Sequence, residues 1–200
     1  FGFFIMLLIL LPLCGNIDYV LGLWLVDVPA HTANFVVLVL LYSLLDGILT
    51  PIAIGVFAQG EIKAYEIALC IIYAVNFIAS YVCLKLGMAP ETVFVLNIAF
   101  KACVLADLLV HSKAKYAFPV HAFLKQCLLP SAVVFVLSGA FTYFMPWEAP
   151  NSFWEFLLHT LAIIICTSLM ALAIGMTKGE RLFLKKNLRD KITVKLYRKI

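Results

Sequence analysis

The sequence has few charged residues and no recognisable catalytic signature. Asp, Glu, Lys and Arg make up 13% of its 200 residues, against about 25% in a typical soluble domain. This shortage excludes an ordinary globular enzyme and a disordered tail. The sequence contains no phosphate-binding glycine loop, no zinc-protease helix, no nucleophile elbow and no acidic cluster suited to a divalent metal. We therefore expect no enzymatic activity, no cofactor and no metal site.

Cysteine pairs and a strong net charge are also missing. The six cysteines occur singly, with no C-x-x-C pair and no histidine at ligand spacing, so we interpret them as small packing residues. The formal net charge of +4 is too small to indicate nucleic-acid binding.

Apolar residues, by contrast, make up 64% of the chain, and its mean hydropathy is +1.06. About 20 apolar residues are needed to cross a bilayer as a helix, and irregular backbone is excluded from lipid. The pattern predicts an all-α, polytopic transmembrane bundle of six helices, at about residues 1–14, 32–57, 65–86, 90–111, 123–144 and 152–175. Pro12, Pro51 and Pro130 are expected to bend or end helices.

The chain starts inside an apolar run without an initiating Met, so we expect a truncated first helix and a longer intact protein. We predict a transmembrane domain over residues 1–177 and a basic amphipathic tail over residues 178–200. Two interpretations of this tail stay open: a solvated helix beside the membrane, or a helix lying on anionic lipid headgroups.

Basic residues are concentrated on one side of the predicted topology. That side carries Lys63, Lys113, Lys115, Lys125 and the nine Lys and Arg residues of the tail. The loops on the other side hold only Lys85 among basic residues. The positive-inside rule therefore predicts a cytoplasmic C-terminus.

A few polar residues lie at depth, and each is a candidate for function. Charge at the bilayer centre costs about 2.5 to 3.5 kcal/mol on insertion scales. Tyr42, Asp46 and Thr50 form one stripe at i, i+4 and i+8 in the second span. Asn76, Asn97 and Lys101 lie near the middle of the third and fourth spans. All the central residues fall at roughly 15 to 21 Å along their helices.

Two hypotheses follow for Asp46 and Lys101. Either they face a common polar cavity, separately or as an ion pair, or they are buried polar contacts that only fix helix packing. Asp107, with His111 at i+4, lies about one turn from the membrane edge on the side rich in basic residues, and it is expected to be solvated there.

Three motifs resemble one transporter family. Residues 16–25 read N-I-D-Y-V-L-G-L-W-L and are followed by Val28, Pro29, Thr32 and Phe35. Residues 58–65 read A-Q-G-E-I-K-A-Y, and Ser80, Tyr81, Leu84, Gly87, Pro90, Val93 and Phe94 complete the set. In order and spacing they resemble the bacterial lipid-linked polysaccharide flippases, the O-antigen flippase branch of the multidrug/oligosaccharidyl-lipid/polysaccharide exporter superfamily.

The resemblance implies the C-terminal portion of a protein with 12 or 14 helices, whose missing N-terminal bundle would form the other half of a two-bundle transporter. Such a protein would carry an undecaprenyl-diphosphate-linked oligosaccharide of lipopolysaccharide biosynthesis across the bacterial inner membrane by alternating access. Its partners would be this lipid-linked oligosaccharide, membrane lipids and a coupling proton or sodium ion. Lys101 is the basic residue deep enough to serve the cavity. Relatives often place a basic residue near Asp107, which speaks against a substrate contact there.

Three alternatives stay open at this point. A multidrug exporter of the same superfamily is the nearest to the flippase. An integral-membrane enzyme of envelope glycan assembly and a scaffold subunit without transport belong to different functional classes.

Overall fold

The structure is a computed structural model that describes residues 2–60, 62–144, 150 and 152–175. These residues form helices and no strand, so the predicted all-α fold is confirmed. The basic tail predicted over residues 178–200 lies outside the described residues. The helices are α1 (Gly2–Gly15), α2 (Ile17–Trp24), α3 (Thr32–Phe57), α4 (Lys63–Lys85), α5 (Thr92–Tyr116), α6 (Val120–Phe144) and α7 (Phe153–Gly175).

Five of these helices, α3 to α7, are long and apolar enough to cross a bilayer. Helices α1 and α2 qualify together but are bent by 79° between them, so they count as a sixth span only if a broken helix crosses the membrane. The described chain is thus a helical bundle of a multi-pass membrane protein.

Helix α2 occupies part of the segment between the first two predicted spans, where no helix was predicted. The bend falls at Asn16, whose side-chain amide donates to the backbone carbonyl of Pro12 at 3.0 Å. The Tyr19 ring stacks on Phe156 of α7 with centroids 5.1 Å apart. The hydrogen bond satisfies a buried carbonyl at the break, and the stacked rings hold α2 against α7.

Helix α5 is longer than predicted. It continues from the expected end near residue 111 to Tyr116 and stops at Ala117, which has a φ of 49°. Residues 112–116 are polar but contain no helix breaker, and Pro119 is the first. The loss of hydropathy marks the edge of the apolar region, whereas the helix itself ends later.

The two internal prolines of the spanning helices, Pro51 and Pro130, differ in their effect on the backbone. Helix α3 runs through Pro51 without a break. In α6 a π-helical turn, Leu124–Leu128, precedes Pro130. Pro130 cannot donate to the carbonyl of Gln126, four residues earlier, and the wider turn lies at that point.

Two apolar clusters hold the bundle together, and α3 contributes to both. One joins α1, α3, α6 and α7, and its buried side chains are Leu7, Leu10, Leu11, Leu44, Val134, Ile163 and Ala171. The other joins α3, α4 and α5, and its buried side chains are Leu49, Ile52, Val56, Tyr65, Val104, Leu108 and Leu109. Helix α5 packs against both α3 and α4. It is therefore the helix through which polar groups of its two neighbours can be connected.

Helices α3 and α5 end, and α4 begins, at the same end of the bundle. We call this the basic end, because Lys63, Lys113 and Lys115 lie there. The other end carries His31 and Glu91 and is called the opposite end.

Candidate functional site

An ion pair joins the middle of α3 to the middle of α5. The ammonium nitrogen of Lys101 lies 2.5 Å from Oδ1 of Asp46. It also donates to the Tyr42 hydroxyl at 3.1 Å and lies 4.7 Å from the centroid of the Tyr42 ring. Tyr42 and Asp46 are one turn apart on α3, so a single side chain of α5 contacts both.

The two charged groups differ sharply in exposure. The Lys101 side chain is 9% exposed, whereas the Asp46 side chain is 49% exposed. The ammonium group is therefore enclosed, and the carboxylate is open on one side. An ionised carboxylate in the middle of a spanning helix is not stable against hydrocarbon and must face water or protein.

Thr50, the third residue of the predicted stripe, does not join this ion pair. Its hydroxyl donates to the backbone carbonyl of Asp46 at 2.8 Å, and the residue is exposed. A hydroxyl bonded to its own helix needs no partner across the bundle.

A second polar contact joins α5 to α4. The side-chain amide nitrogen of Asn76 donates to Oδ1 of Asn97 at 2.6 Å. Asn76 is buried, and its own Oδ1 has no hydrogen-bond partner among the described residues. Asn97 and Lys101 are one turn apart on α5, yet Asn97 reaches α4 and Lys101 reaches α3. The structure thus brings five of the six predicted residues into two adjacent polar contacts on α5.

Four further polar atoms are buried near the basic end. Within the described part of the chain, Oδ2 of Asp107, Nε2 of His111, Oγ of Ser112 and the Tyr116 hydroxyl have no hydrogen-bond partner. Asp107 as a whole is only half-buried, so the interfacial solvation expected of it stays a prediction. The i, i+4 spacing of Asp107 and His111 was the sequence signal for this cluster.

At the opposite end, a polar contact joins the start of α3 to the start of α5. Nδ1 of His31 contacts Oε1 of Glu91, and the Asn34 amide donates to the same oxygen at 3.3 Å. Hydrogen bonds from the Glu91 backbone, then from His31 and Asn34, hold the pKa of the Glu91 carboxyl below its usual value. Sequence reasoning missed this contact because His31 and Glu91 lie just before α3 and α5, outside the apolar runs in which a polar residue stands out.

The chemistry open to these groups is binding and exchange of polar partners. No cluster of three or more His, Cys, Asp or Glu residues arranged to hold a metal occurs within the described ranges. The central pair is neutral overall, with an enclosed cation and an accessible anion, and Asn76 adds a buried carbonyl oxygen without a partner. Such groups can contact a polar or charged molecule if a path leads to them.

Comparison of the chain with protein-family models, with curated proteins and with solved structures gives no significant match.

Proposed function

We propose that the protein is a transporter that flips an undecaprenyl-diphosphate-linked oligosaccharide from the inner to the outer leaflet of a bacterial plasma membrane by alternating access. In this proposal the basic end faces the cytoplasm, as the positive-inside rule requires. The motif resemblance suggests the family. The single observation that supports a transport route is the half-exposed carboxylate of Asp46 at the centre of α3.

The exposure of Asp46 argues for a polar interior. A pair whose only task was to fix helix packing would leave neither charge open to hydrocarbon, because ionised groups at this depth face protein or water. Here only Lys101 is enclosed, and Asp46 stays open in a region where hydrocarbon would surround an isolated bundle. A water-containing route along α3 removes this conflict, because it lets the carboxylate keep part of its hydration.

The same geometry suggests how the pair would act. Without cargo, Asp46 neutralises the Lys101 ammonium group and holds α3 against α5. A diphosphate that enters from the open side of Asp46 carries the same kind of oxygen ligands and competes with the carboxylate for Lys101. Exchange of one anion for the other would then couple cargo binding to loosening of the α3–α5 contact, while the polyprenyl chain stays in lipid.

Export of lipid-linked oligosaccharide in cells tests this proposal. Deletion of the gene should cause lipid-linked repeat units to accumulate, and plasmid-borne protein should remove them. Lys101→Leu should accumulate these units as the deletion does, although the folded protein is present in the membrane. Combining Asp46→Lys with Lys101→Asp should restore more export than either single change. Thr50→Val is the matched control, because Thr50 is exposed on the same helix and bonds only its own backbone.

Three outcomes would contradict the proposal. Export by Lys101→Leu at the wild-type rate would show that the cation has no role in it. A double variant no better than the single variants would remove the pair from the mechanism. Unchanged lipid-linked units together with drug sensitivity on deletion would identify a multidrug exporter instead.

A further inference from the structure

A cavity of about 400 Å³ lies at the basic end, between the start of α4 and the end of α5. We propose that it binds the phosphate of an anionic phospholipid headgroup, with Lys63 and Lys115 as its cationic contacts. This site is separate from the Asp46–Lys101 pair, and the proposal does not depend on the transport function. The cavity is lined by Gly60, Ile62, Lys63, Ala64, Ile67 and Lys115.

The cavity is held in place by the turn between α3 and α4. Gly60 has a φ of 81°, a left-handed conformation that favours glycine. Tyr65 is buried, and its ring centroid lies 5.8 Å from that of Phe57 on α3 and 6.4 Å from that of His111 on α5. Tyr65 thus fixes the first turn of α4 against both neighbours, while Lys63, two residues earlier, remains exposed at the cavity.

The charge of the cavity matches an anion. Lys63 and Lys115 reach it from two different helices, and none of the described residues that line it is acidic. Glu66 lies in the first turn of α4 and offsets the helix dipole there, so the positive charge of the cavity comes from the two lysines. Basic pockets between membrane helices are typical binding places for anionic lipid headgroups.

The apolar wall of the cavity favours a lipid over a soluble anion as the ligand. Ile62 and Ile67 are exposed beside the lysines. From Ile67 an apolar row continues along one face of α4 through Ile71 and Ile78, at i+4 and i+11, and all three side chains are more than half exposed. An anionic head at the lysines therefore places its acyl chains along this row, an arrangement that a soluble phosphate cannot use.

Lipid-dependent thermal stability of the purified protein tests the site. In dodecyl maltoside, dioleoyl-phosphatidylglycerol should raise the unfolding temperature of the wild type, and dioleoyl-phosphatidylcholine should raise it less. Lys63→Gln should increase the phosphatidylglycerol concentration for half-maximal stabilisation about fivefold, equivalent to about 1 kcal/mol for one lysine near a headgroup. Lys115→Gln is the second variant and should act in the same direction.

Two controls separate the site from general surface charge. Lys113→Gln removes a lysine from the same last turn of α5 that does not line the cavity, and it should leave the response unchanged. Lys63→Arg keeps the positive charge and should respond to phosphatidylglycerol as the wild type does.

Equal responses of Lys63→Gln and Lys113→Gln would overturn the proposed site. Stabilisation by soluble glycerol phosphate as strong as that by phosphatidylglycerol would overturn the lipid assignment. Stabilisation by undecaprenyl phosphate but not by phosphatidylglycerol would overturn it in favour of a carrier lipid.

Discussion

Both sides of the bundle contain an apolar cluster, and among the described contacts the α3–α4–α5 side adds polar bonds between its helices. Where α3, α4 and α5 meet, Lys101 and Asn97 bind polar side chains of the neighbouring helices. Where α1, α6 and α7 meet, the Ser138 and Thr142 hydroxyls donate to carbonyls of their own helix at 2.5 and 2.9 Å. The helices on that side instead approach closely at small residues, as at Gly15.

This difference bears on function because helices in lipid gain little from the hydrophobic effect when they associate. Interhelical hydrogen bonds and the close packing of small residues are the two main substitutes. The α1–α6–α7 side uses close packing, which is insensitive to solvent. The α3–α4–α5 side adds to its apolar cluster polar contacts that water and charged ligands can replace. A binding or switching role is therefore easier to assign to the second side.

The largest expected effect comes from unpairing the buried charge of the polar side. Asp46→Asn leaves the enclosed Lys101 ammonium group without its counter-ion and should destabilise the protein by about 3 kcal/mol. Lys101→Met leaves only the half-exposed carboxylate and should cost less than half as much. Unfolding of both variants in detergent with a denaturant measures the difference. Equal costs would show that the carboxylate is no better solvated than the ammonium group.

An intermediate effect is expected from crowding the apolar side. A Cβ added at Gly15 would lie 2.7 Å from Cγ2 of Thr142 and 3.1 Å from Cδ1 of Ile163. Gly15→Ala should therefore destabilise the protein by about 1–3 kcal/mol. Gly139→Ala in α6 is the matched control, because a Cβ there meets nothing within 4 Å. It should stabilise the helix by up to about 1 kcal/mol. The same thermal shift in both variants would contradict close packing at Gly15.

The smallest effect is expected at the exposed opposite end. Because the pKa of Glu91 is lowered, its ionised form is favoured in the folded protein. Its contribution to stability is present at neutral pH and is lost as the pH falls below about 4, near the usual glutamate range. Glu91→Gln should lower the unfolding temperature at pH 7 but not at pH 3. A wild-type-to-variant difference that is constant over this range would exclude the carboxylate as its source.

Helix positions were predictable to within a few residues. The bounds of α3 were predicted correctly at residues 32–57, and the errors at α5 and α6 are of five and three residues. Hydropathy identifies the part of a helix that suits hydrocarbon, whereas the helix continues until a residue such as Pro119 stops it. The 79° bend at Asn16 was not predicted, because no helix was predicted for the residues that follow it.

The candidate site was only partly predictable. The depth of Asp46, Asn76, Asn97 and Lys101 follows from counting residues along each helix at 1.5 Å per residue. The side chain that each of these residues contacts does not follow from this count. Thr50 shared the stripe of Tyr42 and Asp46 but bonds its own backbone, and the Glu91 contact had no local signal at all.

Composition and hydropathy are enough to predict a bundle of membrane-spanning helices with charged side chains at mid-depth. Hydropathy and helix length depend on residues that are neighbours in the sequence. Because the bilayer thickness is fixed, spanning helices can be recognised from these two properties without knowledge of tertiary contacts. That Lys101 is enclosed and Asp46 open, and that Lys63 and Lys115 share a cavity, is visible only in the folded bundle. Those facts depend on how each helix is rotated and which helix is its neighbour, and many weak contacts across the whole bundle set both.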